Sequence, residues 1–77
     1  MLDEAIEQLN MAIEIEPKLA KAHNNLAIAY HSAGNYNLAW QHIRIAQGLN
    51  YVVNPQFIEI LGKDSNKKVN QKLESLK

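Results

Sequence analysis

Three histidines, His23, His31 and His42, are the residues best suited to chemistry in this chain. An imidazole ligates metals and moves protons near neutral pH. Either task needs partners at a defined spacing. His23 and His31 are separated by about 80° around a helix of 3.6 residues per turn, so they do not share one face at ligand spacing. His42 falls on a later segment. No carboxylate completes a metal set at the usual spacings. The chain has no cysteine, hence no thiolate ligand, thiol nucleophile or disulfide. The sequence therefore predicts no catalytic residue, no metal site and no cofactor. His31 and His42 are expected on the polar surface.

The other ionisable groups read as solvated faces. Glu4, Glu7, Glu14 and Glu16 are spread along one segment, and Asp3 and Glu4 favour its N-terminus as a helix start. Gly34, Gly48 and Gly62 are isolated and expected at helix ends, so no glycine-rich loop cradles a phosphate. Lys63, Lys67, Lys68, Lys72 and Lys77 make the tail locally basic, although Asp64 and Glu74 are mixed among them. Nucleic-acid binding needs a basic stripe with stacking aromatics. These lysines lie away from Tyr30, Tyr36 and Trp40, which leaves a nucleic-acid-associated helical module as the alternative reading.

Formal net charge is zero over 77 residues, so no general attraction to polyanions is expected. No apolar run approaches the roughly 18 residues of a membrane span, and the acidic N-terminus does not resemble a signal peptide. The absence of cysteine fits an intracellular protein, and the cytoplasm is the expected location.

The elements that must position these residues are helices. Apolar periodicity and punctuation predict helices at about 3–15, 19–33, 36–49 and 55–62, with a weaker one at about 66–76. Pro17 breaks the first connection. Gly34 ends the second helix, because glycine accepts a left-handed conformation, and Asn35 caps the third. Asn54-Pro55 starts the fourth. Val69, Leu73 and Leu76 give the tail a thin apolar stripe. One continuous helix through Gly62 is equally compatible with the sequence.

The segments repeat. Ala5 pairs with Ala39, Leu9 with Ile43, Ala12 with Ala46 and Ile15 with Leu49, each at a separation of 34 residues. DEAIEQLNMAIEIEP thus recurs loosely as NLAWQHIRIAQGLNY, with small and bulky apolar residues in the same order. Between the copies, Ala22, Leu26, Ala29, Tyr30 and Ala33 line one face of a helix. The unit is helix, tight turn, helix.

This arrangement resembles the tetratricopeptide repeat. Leu26, Ala27 and Tyr30 fill its Leu-Gly-Tyr slots, and Ala39, Ile43 and Ala46 fill those of the second helix. Ala5, Leu9, Ala12 and Pro17 do the same in the earlier copy. His23 stands in the slot usually held by tryptophan and is expected as a packing residue. Tyr51 stands where the closing proline belongs. Phe57 and Ile60 begin a further first helix, but Leu61 then occupies a small-residue slot and Asp64 the tyrosine slot.

The resemblance implies an all-α fold: an α-solenoid fragment of antiparallel helix-turn-helix repeats with a C-terminal capping helix. Residues 1–18 would be the second helix of a truncated repeat, 19–52 a complete repeat, and 53–77 the capping helix and basic polar tail. It also implies a non-catalytic scaffold that binds a protein or peptide on the concave surface of its first helices. Those positions are Lys21, Asn24, Ile28, His31 and Ser32, with Asn25 beside them. One subgroup of the family clamps a peptide carboxylate with lysine and asparagine; Asn24 and Ile28 do not supply that clamp. Trp40 has two readings, packing toward the following helix against Phe57 or Ile58, or an exposed interface anchor.

The first helix raises a further expectation. Leu2, Ile6, Leu9 and Ile13 form an apolar face that the second helix covers on one side. The chain is expected to be the C-terminal end of a longer array. In isolation it is expected to form a homodimer through residues 2–15, by apposition or by exchange of helices after straightening at Ala33-Gly34-Asn35.

Overall fold

The structure, a computed structural model, describes the backbone of residues 2–75 and the side chains of residues 2–67. It comprises four helices: α1 (Leu2–Ile15), α2 (Ala20–Ser32), α3 (Tyr36–Gly48) and α4 (Pro55–Ser75). No strand occurs among the described residues. Lys68, Val69, Lys72, Leu73, Leu76 and Lys77, with Glu74, lie outside the described side chains, so the expected tail stripe and basic cluster are not placed.

The turns follow from their residues. α1 stops at Ile15 because Glu16 precedes Pro17, whose ring disfavours helical geometry in the residue before it. Glu16 N–H still reaches Ala12 O at 2.9 Å, and Leu19 N–H closes the turn on Glu16 O at 3.1 Å. α2 ends in a Schellman motif: Asn35 N–H donates to Tyr30 O at 2.9 Å and Gly34 N–H to His31 O at 3.0 Å. That geometry needs a left-handed residue, and Gly34 has φ 78°.

The same motif closes α3 with a different residue. Tyr51 N–H donates to Ala46 O and Asn50 N–H to Gln47 O, both at 3.0 Å. Here Asn50 takes the positive φ, 66°, as asparagine does more readily than most residues. Asn35 caps α3 by accepting from Leu38 N–H at 3.3 Å. Asn54 caps α4 by accepting from Gln56 N–H at 2.9 Å.

α2 packs most extensively on α3, α1 packs on α2, and α4 packs on α3. Alanine makes the α2–α3 approach possible: Ala27, Ala39 and Ala46 are fully buried, and a larger side chain would force the helices apart. Ile43, Val53 and Leu61 complete the cluster, with Tyr30, Tyr36, Trp40, Tyr51, Phe57 and Ile58 packed around it.

α4 takes the continuous form of the two that the sequence allowed. It runs unbroken through Gly62 for 21 residues, so Gly62 is not a helix end and Lys67 is not at a helix start. A mid-helix glycine costs only about 1 kcal/mol relative to alanine, and its neighbours outweigh that cost. Leu61 is fully buried. Trp40 Nε1–H donates to Ser65 Oγ at 3.0 Å, and Ser65 Oγ–H in turn bonds Leu61 O. Trp40 thus packs toward the following helix as expected, with Ser65 as its hydrogen-bond partner and Gly62 beside the indole.

Candidate interaction surface

α1 carries six large apolar residues, Leu2, Ile6, Leu9, Met11, Ile13 and Ile15, yet no residue of α1 is buried. α2 covers one side, leaving Ile6, Leu9 and Ile13 half-buried. Leu2 is 37%, Met11 54% and Ile15 87% exposed. A shallow open groove on α1 is lined by Ile6, Met11 and Ile13 together with Asp3, Glu7, Asn10 and Glu14. α1 contains four carboxylates and no basic residue, so the rim of the groove is uniformly negative.

The groove is held in place through Tyr30 on α2, whose hydroxyl accepts from Asn10 Nδ2–H at 3.4 Å. Tyr30 stacks on His42, with ring centroids 5.6 Å apart. His42 faces His23, with Nδ1 to Nδ1 at 2.9 Å, and His23 Nε2 lies 2.8 Å from the carbonyl of Pro17. A polar seam therefore joins α1, the α1–α2 turn, α2 and α3.

His42 corrects the sequence expectation. It is not polar surface but 8% exposed, and His23 is 5% exposed. The signal was present in the spacing: Ala39, His42, Ile43 and Ala46 form an i, i+3, i+4, i+7 stripe, all of it buried. Burial holds the His42 pKa below its ordinary 6.5, and the nearby charge of His23 adds to the effect. The folded state thus resists protonating this ring. Its stabilising contribution is complete above about pH 6.5 and falls as pH drops from there toward the lowered folded value.

On the proposed concave face, Lys21, Asn25, Ile28 and Ser32 are exposed and Asn24 is half-buried. His31 is half-buried, and its Nε2 is engaged within the chain by Asp64 Oδ2 at 2.6 Å. Its ring also packs against Tyr36 and meets Phe57 edge-on, at centroid distances of 5.8 and 5.5 Å. The expected polar-surface residue is therefore an anchor for α4. Among the described residues, no three His, Asp or Glu side chains are grouped to hold a metal.

Residues 2–34, spanning α1 and α2, match a family model described as TPR repeat. Residues 2–34 carry tetratricopeptide-repeat sequence. The match agrees with the all-helical architecture and the 34-residue spacing of its small and bulky residues. TPR repeats are in general non-catalytic protein-interaction modules. α3 lies beyond the matched segment and α4 further still. Comparison with curated proteins and with solved structures gave no match.

Proposed function

We propose that this chain is a non-catalytic protein-binding scaffold whose α1 flank recognises another helix, and that for the chain alone this helix is α1 of a second copy. The observation that carries the reading is the apolar flank of α1, Leu2, Ile6, Leu9 and Ile13, none of them buried. Apolar burial is worth about 25 cal/mol per Å². A flank of a few hundred Å² per copy thus supplies several kcal/mol, but it is smaller than the roughly 800 Å² per partner of a standard stable interface. The dimer is accordingly weak and concentration-dependent.

Apposition fits better than helix exchange. Straightening the chain at Ala33-Gly34-Asn35 would break both hydrogen bonds of the Schellman motif that closes α2. In this reading residues 19–52 form the complete repeat and residues 53–77 its cap. Lys21, Asn24, Asn25, Ile28 and Ser32 remain available on α2 for a different protein or peptide partner. The nucleic-acid alternative has less support: Lys63 lies 3.3 Å from Glu59, and Tyr30, Tyr36 and Trp40 are packed against the core.

The test compares Ile6→Glu with Val52→Glu in sedimentation equilibrium. Ile6 lines the flank, whereas Val52 is 88% exposed in the α3–α4 connection. Loss of association with Ile6→Glu alone supports the proposal. Equal behaviour of the two variants removes α1 as the interface.

A further inference from the structure

The His23–His42 contact constrains where protons can sit. A carbonyl oxygen only accepts, so His23 must donate Nε2–H to Pro17 O. A neutral imidazole has one N–H, which leaves His23 Nδ1 as a bare acceptor. At 2.9 Å from it, His42 Nδ1 must then carry the proton. His42 Nε2 is left with a lone pair. One further proton can bind there without breaking either hydrogen bond. A second would have to occupy His23 Nδ1, setting two N–H groups against each other at hydrogen-bond distance.

We propose that His23 and His42 form a proton-counting latch between the α1–α2 turn and α3, closed with at most one positive charge on the pair and opened by a second. The latch joins the Pro17 carbonyl to α3 through two buried rings whose centroids lie 5.2 Å apart. Opening it loosens the seam on which Tyr30, and through Asn10 the α1 groove, are seated.

The surrounding charges do not substitute for the pair. On α2, Tyr30 stacks on His42 and Lys21 is exposed; on α3, Arg44 is exposed. From the α1 side the polar neighbour is Asn10, while Glu7, Glu14, Glu16 and Lys18 are exposed. α4 directs Asp64 to His31 instead. Among the described residues, no carboxylate or ammonium bonds either ring of the pair. The lowered pKa of His42 agrees with a site that resists charge.

The test is the urea midpoint of the wild type and of His23→Gln at about pH 8 and about pH 5, either side of the ordinary histidine range. Glutamine supplies an N–H for Pro17 O and a carbonyl for His42 Nδ1–H but cannot be charged. The wild type is expected to lose midpoint on acidification, and His23→Gln to lose clearly less. His31, Asp64 and the exposed carboxylates are common to both proteins and cancel in the comparison. An equal loss in both overturns the latch. Imidazole ¹⁵N spectra of the wild type give an independent answer even if the variant does not fold. At about pH 8 His23 must be protonated at Nε2 and His42 at Nδ1; a His42 protonated at Nε2 alone overturns the proposal.

Discussion

His31 Nε2 lies 2.6 Å from Asp64 Oδ2, joining α2 to α4 across 33 residues of chain. The residue that breaks the repeat pattern at the tyrosine slot is thus the one that secures the last helix. Asp64→Ala removes the acceptor while leaving the ring contacts of His31 with Tyr36 and Phe57. A hydrogen bond of this partly buried kind contributes about 1 kcal/mol, so a loss of that order is expected in urea unfolding. Faster amide exchange in α4 than in α2 and α3 should accompany it. Unchanged exchange in α4 would mean that Leu61 and Trp40 hold the helix unaided.

Gly62 offers the opposite effect. A Cβ added there meets Trp40 Cζ2 at 4.0 Å, ordinary van der Waals distance. Gly62→Ala therefore fits, and it removes the backbone freedom of a mid-helix glycine. A gain of about 0.5–1 kcal/mol is expected. Thermal unfolding followed by circular dichroism checks the sign, and a loss would indicate that the indole sits tighter on α4 than this spacing allows.

At Gly34 the space is also open, yet the expectation reverses. No atom lies within 4 Å of the position a Cβ would take, but φ is +78°. Gly34→Ala should cost about 1–2 kcal/mol through left-handed strain alone. The matching change Asn50→Gly, at φ 66°, should be neutral or slightly stabilising. Chemical denaturation of the two variants side by side separates strain from packing.

The helices, their turns and the 34-residue register were legible because each depends on local signals: apolar periodicity, Pro17, Gly34, Asn35 and Asn54-Pro55. What escaped the sequence depends on partners distant along the chain. His42 shows polar on any hydropathy reading; its place in the stripe with Ala39, Ile43 and Ala46 marked it for burial, but the His23 ring that partners it there lies 19 residues away. Gly62 looks like a terminus because the features that carry α4 across it, Leu61 burial and the Trp40–Ser65 bond, are tertiary. The apolar face of α1 was readable from periodicity alone; how far α2 covers it was not.

The charge on α1 gives the proposed dimer a salt signature. Asp3, Glu4, Glu7 and Glu14 have no basic partner on α1, so apposing two copies brings like charges together. Added salt screens such repulsion, with a Debye length of about 10 Å at 0.1 M. Association should tighten between about 0.05 M and about 0.5 M sodium chloride in analytical ultracentrifugation. Weakening with salt would instead identify a basic surface as the occupant of the groove.

Light scattering coupled to size exclusion, run on the wild-type chain across a range of loading concentrations, addresses the central claim most directly. The account predicts a mass that rises from that of one 8.7 kDa chain toward twice that value through the micromolar range. A single-chain mass at every concentration would contradict it.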